Sequence, residues 1–334
     1  MSDWTRVDKY LRRIAETDGI TEEHLWNMGH RQGLEEAGTQ PLTEDSVESW
    51  RRFRNGEALS TKDRGQLEAI VLPNGLRPTF DIQNDSFADL PEPWNRLNSH
   101  RQFLESCIRG IGRLNVPGHA LLQYAGTAFV VGRELLLTNR HVAEVFCQTG
   151  GDTLTFTPGI LPNLDFKQEV GNNANIIINI IKPLVVLTDW DAALLRCDAL
   201  PTNVQPLRLA QNSPADITNR LATIIGYPAL DTRGSTEEIL QQIQIFRAIF
   251  DKKRLQPGRL MGEKATKSFG STVAALAHDC STLGGNSGSA VIDVESDSIL
   301  GLHFGGDYLV ANYSVPSWEL ARHQRLHEEG MIFV

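Results

Sequence analysis

The chain has 334 residues, with 32 basic against 41 acidic side chains and a formal charge of −9 at neutral pH; this balance leaves no whole-chain basic footprint for nucleic acid. Hydrophobic residues make up 41% and charged residues 22%, the mix of a soluble globular protein too long for one ordinary core and organised as two or three packed units. No apolar run reaches the roughly 18 residues of a membrane span, the richest, around 176–187, being interrupted by Asn179, Lys182 and Pro183.

In chain order, Met1-Ser2-Asp3-Trp4-Thr5-Arg6 lacks the basic start and apolar core of a secretory leader. Val7, Tyr10, Leu11 and Ile14 share one helical face, and the spacing predicts further helices from Thr21-Glu22-Glu23-His24 and over 43–53. Residues 84–95, with Pro91 and Pro93, read as a linker. A short helix over 99–108 follows. From about residue 110 the pattern changes to short apolar strands bounded by turns, at 120–124, 127–131, 134–138, 153–156, 174–181, 192–197, 220–227, 289–293 and 298–304. Many short strands at such intervals predict barrels or a sandwich. A helix is predicted over 236–250, strands resume at Pro257-Gly258, and Trp318, Leu320, Ala321 and Leu326 predict a C-terminal helix over 316–328. The run Lys252-Lys253-Arg254 reads as a solvated loop. Cys107, Cys147, Cys197 and Cys280 are scattered without a metal-ligand spacing and read as buried free thiols, which sets the expectation of a reducing, cytoplasmic location.

Three segments carry chemistry. Gly284-Gly285-Asn286-Ser287-Gly288-Ser289 places a serine on a tight glycine turn, with the amides of Gly285 and Ser287 free for an oxyanion. Thr138-Asn139-Arg140-His141-Val142-Ala143 follows an apolar strand, and Asp189-Trp190-Asp191-Ala192-Ala193-Leu194-Leu195 is an acidic turn running into another. Serine attacks well only when a base takes its proton, histidine titrates near working pH, and a buried carboxylate holds the imidazole in the required tautomer. Asp189 competes with Asp191 for the acid; Asp191, directly before the apolar strand, is the better candidate. Ser289 and His278 read as supporting residues, His278 as part of a pocket wall.

These segments, with Gly126-Thr127-Ala128-Phe129, Gly226-Tyr227-Pro228 and Leu300-Gly301-Leu302-His303-Phe304-Gly305-Gly306, occur in one order. Over residues 105–325 the chain resembles the trypsin-like serine peptidases of the chymotrypsin fold, and within them a bacterial subgroup related to glutamyl endopeptidases. The resemblance implies a mainly β fold, a double six-stranded barrel with the site between the barrels. The organisation it predicts is a helical module and linker over 1–95 and a peptidase domain over 96–334, with barrels at about 105–205 and 215–315.

The implied activity is that of a serine endopeptidase acting on protein or peptide substrates through an acyl-enzyme: Ser287 as nucleophile, His141 as base, Asp191 as its orienting acid, and Gly285 with Ser287 as oxyanion hole. No metal, organic cofactor, nucleic acid or membrane is implied. A noncatalytic peptide-binding or regulatory protein on the same fold is the alternative. The pocket for the side chain before the scissile bond is expected from Ser281, Thr282, His303 and Gly305. Ser281 stands where trypsin has its aspartate, while Thr282 and His303 match the hydroxyl and histidine of the glutamyl endopeptidases and imply a preference for glutamate. Asn286 replaces the aspartate of the trypsin zymogen switch, so activation by a newly cut amino terminus is not expected. The first 95 residues are left as an adaptor for a regulatory partner, an inhibitory segment or a packing unit.

Overall fold

The computed structural model describes residues 48, 51–52, 77–150, 153–172, 174–231, 236–268, 271–307 and 311–334. The helices expected over 7–14 and from Thr21 lie outside the described residues. Of the helix expected over 43–53, Glu48, Arg51 and Arg52 are described and are helical.

The described chain opens with an arm whose short strand β1 (Phe80–Asp81) pairs antiparallel with a much later strand. A 3₁₀ turn (Asn95–His100) leads into α1 (Arg101–Gly110). Six strands then close a first barrel: β2 (Ile111–Asn115), β3 (Tyr124–Gly132), β4 (Leu135–Thr138), β7 (Asn163–Asp165), β8 (Ile177–Val186) and β9 (Ala193–Cys197), in the order β2-β3-β4-β9-β8-β7. The one-turn helix α2 (Arg140–Ala143) leaves the end of β4, and the hairpin of β5 (Cys147–Gly150) and β6 (Thr153–Phe156) stands apart from the ring.

The second barrel uses β10 (Leu221–Gly226), β11 (Arg254–Ser268), β12 (Ser271–His278), β13 (Ala290–Asp293), β14 (Ser298–Asp307) and β15 (Ala311–Pro316). The order β11-β10-β13-β14-β15-β12 closes through the β11–β12 pairing, with β1 added on β11. The helix α3 (Thr236–Phe246) lies between β10 and β11. The mainly β, two-barrel architecture expected from the sequence is what the chain adopts.

The strands are continuous apolar runs because both of their faces are covered. On β3, Ala128 and Val130 enter the first barrel, while Phe129 and Val131 face a second core lying between the barrels. On β10 and β13 the same alternation sends Ala222, Ile224 and Val291 inside the second barrel and Ile225, Ala290 and Ile292 into the shared core. That shared core also takes Ile82, Phe87, Leu90 and Trp94 from the arm. Residues 84–95 are therefore packed structure rather than a free linker, and a boundary at residue 95 would cut through the core that joins the barrels.

Three local expectations are corrected. The C-terminal helix is two short ones, α4 (Ser317–Leu320) and α5 (Gln324–Glu328), because His323 between them is extended (φ −87°, ψ 103°). Strand β8 runs through Pro183, which lacks an N–H for the ladder, and the register shifts on either side of it absorb the defect. The run Lys252-Lys253-Arg254 is not solvated: Lys253 and Arg254 are fully buried. Lys253 Nζ donates to the carbonyls of Ile108 (2.8 Å) and Phe166 (2.7 Å) and lies 3.7 Å from buried Glu169. Arg254 donates to Thr79 Oγ1 (2.7 Å) and the carbonyl of Phe246 (2.9 Å), and pairs with Asp81. These cations thus tie together carbonyls of the arm, α1 and the barrel loops, some of which, Ile108 O and Phe246 O, also accept a backbone N–H.

Removing one member of a buried pair strands the other's charge, at a cost of about 3–5 kcal/mol. Lys253→Met is expected to destabilise the protein by about that amount in urea unfolding, and Lys253→Met with Glu169→Gln to recover part of the loss.

Candidate functional site

The end of β4 and the turn before β9 bring two predicted residues together. His141 sits on α2, and Asp191 lies in the turn entering β9, which pairs with β4 from Leu135↔Arg196 to Thr138↔Ala193. His141 Nδ1 is 2.6 Å from Asp191 Oδ2, and the backbone N–H of His141 donates to Asp191 Oδ1 at 3.0 Å. Asp191 is held in turn by its own carbonyl, which accepts Asn139 Nδ2 at 2.8 Å. The carboxylate is 6% exposed and the imidazole 42%. One edge of the ring is thus fixed against a buried acid while much of the rest is open to solvent. Asp189 lies elsewhere, 57% exposed and 3.4 Å from His323.

Ser287 comes from the second barrel, on the loop between β12 and β13. Gly285 and Gly288 adopt φ of +84° and +91°, conformations that favour glycine. Space makes the same demand: a Cβ on Gly285 would lie 2.3 Å from the Tyr227 carbonyl, and one on Gly288 would lie 1.8 Å from the Thr127 carbonyl. The loop's backbone is closely accounted for. Gly284 O accepts Ala229 N–H (2.7 Å), Asn286 N–H donates to Leu283 O, Asn286 O accepts Ser289 N–H (2.9 Å), and Gly288 N–H donates to His303 O (2.9 Å).

The amides of Gly284, Gly285 and Ser287 have no partner among the described residues. A trans peptide points its N–H opposite its C=O. The bonds that hold the carbonyls of Gly284 and Asn286 therefore turn the following N–H groups, of Gly285 and Ser287, the other way. Neither amide is taken up by the protein's own carbonyls among the described residues.

Sequence reasoning missed the residues that lock this loop. Thr127 on β3 donates its N–H to Ser287 O (2.9 Å) and its hydroxyl to Gly285 O (2.8 Å), tying the first barrel to the serine loop of the second. Asn286 and Gln256 exchange two hydrogen bonds, Gln256 Nε2 to Asn286 Oδ1 (3.0 Å) and Asn286 Nδ2 to Gln256 Oε1 (3.1 Å), both side chains fully buried. The position of Thr127 in Gly126-Thr127-Ala128-Phe129 was an available signal; Gln256 offered none.

Of the predicted pocket residues, Thr282 donates its hydroxyl to Asn312 Oδ1 (2.8 Å), and Asn312 Nδ2 donates to Cys280 O (2.7 Å). Ser281 Oγ instead turns to the arm and donates to Arg77 O at 2.5 Å. His303 is buried, with Nδ1 3.2 Å from His278 Nε2 and the rings edge to face. Gly305 leaves open space where a side chain would stand. Ser289 is buried behind the loop, its hydroxyl without a partner among the described residues.

Burial keeps both imidazoles neutral. It lowers His278 from 6.5 to about 4, against a smaller opposing effect of Asp279. It drives His303 well below its ordinary value, with the neighbouring His278 and His141 acting in the same direction and the Tyr313 backbone opposing. The unfolded chain then binds protons that the folded chain does not. Stability present above pH 6.5 is lost as the pH falls toward 4. Urea unfolding at pH 7.5 and 4.5 is expected to show His278→Gln losing about 2–3 kcal/mol less than the wild type over that interval.

Residues 126–302, more than half of the chain, match the trypsin-like peptidase domain. A probable serine protease of Lysobacter enzymogenes is 26% identical over 296 residues, covering 79% of this chain and 76% of that protein. A glutamyl endopeptidase of Staphylococcus epidermidis is 24% identical over 258 residues, covering 75% and 78%. Among solved structures, the active form of a protease from M. tuberculosis aligns with a TM-score of 0.47 at 15% identity, covering 75% of this chain and 93% of the other. With its two barrels and the match across both of them, the chain belongs to the trypsin-like peptidases, and it is a serine protease.

Proposed function

We propose that this serine protease is an endopeptidase that works through a Ser287–His141–Asp191 triad and prefers glutamate before the scissile bond. The observation that carries the triad is the 2.6 Å contact of His141 Nδ1 with buried Asp191 Oδ2, together with a glycine-bounded serine loop whose Gly285 and Ser287 amides have no partner among the described residues. Ser287 Oγ bonds to the substrate carbonyl carbon as His141 Nε2 takes its proton. The C=O pair moves onto oxygen, which the N–H groups of Gly285 and Ser287 receive. His141 then gives its proton to the departing amine as the C–N bond breaks. Water repeats the sequence on the acyl-enzyme, releasing the acid and restoring Ser287. Asp191 orients the ring and offsets its transient charge.

The glutamate preference is supported by the pair Thr282 and His303 and by the glutamyl endopeptidase among the relatives. His303 is joined by its own backbone to the serine loop, since its N–H donates to Ser289 O and its carbonyl accepts Gly288 N–H. Its ring is thus carried at the site and braced by His278. With His278 Nε2 donating to His303 Nδ1, the Nε2–H of a neutral His303 is left to donate to a substrate carboxylate, a charge-assisted bond. Four buried, unpaired cysteines suit a reducing, cytoplasmic setting. Among the described residues no helix is long and apolar enough to cross a membrane.

A fluorophosphonate is expected to label wild-type protein at Ser287 and to leave Ser287→Ala unlabelled, with peptide cleavage lost alongside. Absence of both label and cleavage in the wild type overturns the peptidase reading. Among otherwise identical peptides, one with Glu should be cut faster than those with Lys or Leu; equal or slower cutting overturns the preference alone. Gly285→Ala is expected to lower kcat by about 10²–10³, the loss of one oxyanion donor, as its Cβ displaces the amide.

A further inference from the structure

The wall of the pocket is held by a residue that belongs to neither barrel. Arg77 lies on the arm, three residues before β1, and its side chain is 4% exposed. Its Nε donates to Asp279 Oδ1 at 2.8 Å and its Nη2 to Asp279 Oδ2 at 2.7 Å, a fork-on-carboxylate pair across 202 residues of sequence. Asp279 Oδ1 also accepts the N–H of Arg259 on β11 at 2.7 Å. The guanidinium lies 5.2 Å from the ring centroid of Trp94, itself 1% exposed. The Arg77 carbonyl receives the hydroxyl of Ser281. One arm residue therefore grips residues 279 and 281 from both its side chain and its backbone.

Those two positions frame the pocket wall. Immediately before them is His278, which braces His303; immediately after is Thr282. Asn312 holds the same stretch from β15 through Cys280 O and Thr282 Oγ1. β15 is part of the second barrel and fixes the wall from inside. Arg77 fixes it from outside, its guanidinium set between the buried carboxylate of Asp279 and the ring of Trp94.

We propose that Arg77 is a positioning residue for the primary specificity pocket. By clamping Asp279 and Ser281 it sets the distance between Thr282 and His303 at which a substrate side chain is received. The inference rests on the peptidase reading above and holds whichever side chain the pocket prefers. The fork geometry matters because a guanidinium reaches both carboxylate oxygens in one plane, which an ammonium does not.

The test compares wild type, Arg77→Lys and Arg77→Met in the full chain. It reads kcat and KM on the Glu, Lys and Leu peptides and, separately, the rate at which a small fluorophosphonate with no pocket-filling side chain labels Ser287. Arg77→Lys is expected to raise KM on the best peptide by about tenfold and to narrow the ratio between best and worst peptides, with the labelling rate within about twofold of wild type. Arg77→Met should move the same readings further. Unchanged KM and ratio in Arg77→Lys overturn the proposal, also where Arg77→Met fails to fold. A parallel fall of cleavage and labelling overturns it too, since that marks a merely structural role. Failure of the peptidase reading is distinct, because then the wild type itself neither labels nor cleaves.

Discussion

Two carbonyls of the serine loop, those of Gly285 and Ser287, end on one residue of the opposite barrel, Thr127. This junction has to form for the site to exist. His141 and Asp191 are anchored to β4 and β9 of the first barrel, whereas Ser287 and its amides belong to the second. Thr127 occupies the strand beside β4, and its own carbonyl accepts Thr138 Oγ1 at 2.8 Å, one residue before the Asn139 that holds Asp191. The chain of bonds from Asp191 through Asn139, Thr138 and Thr127 to the serine loop is short: every acceptor is a backbone carbonyl, and three of the four donors are side chains. Its rigidity comes from Gly288, whose missing side chain lets the Thr127 carbonyl approach.

Behind that junction, the shared core explains why two barrels behave as one body. Strands that bury both faces contribute alternate residues to their own barrel and to the seam, so neither barrel can shift without exposing apolar surface from the other. The arm is a third participant. Ile82, Phe87, Leu90 and Trp94 lie in the same seam, and the buried cations Lys253 and Arg254 close the polar ends of the gaps between arm, α1 and loops. A lysine and an arginine supply several donors each, so one buried side chain can bind two or more of these elements at once.

The parts of this arrangement that were legible in the sequence are those written in contiguous residues. His141, Asp191 and Ser287 each sit in a short motif whose glycines, strand neighbours and order limit what the chain can do, and short apolar runs between turns announce barrels. Residues whose meaning lies in a distant partner were silent. Nothing near Gln256 announces Asn286, and nothing near Arg77 announces Asp279. Asn312 looks like any strand polar residue until Thr282 and Cys280 meet it. General rules also misled where tertiary structure overrode them: a run of three basic residues is ordinarily solvated, yet here two of the three are buried. The C-terminal periodicity was real, since Leu320 and Leu326 both reach the core, but His323 breaks the helix between them.

The replacement of an ion pair by an amide pair beneath the serine has a physical consequence. A carboxylate in that buried position needs a counter-charge, and a chain that must be cut to supply one is inactive until the cut is made. Asn286 needs no counter-charge. Gln256 satisfies both its donor and its acceptor within the same barrel, and neither amide titrates. The conformation of the serine loop therefore leans on a pair whose charge does not change with pH. What remains adjustable lies one step along the chain, at residues 279–282, where the wall is held partly from inside by Asn312 and partly from outside by the arm. A neutral lock thus holds the serine loop, and a charged one holds the stretch beside it.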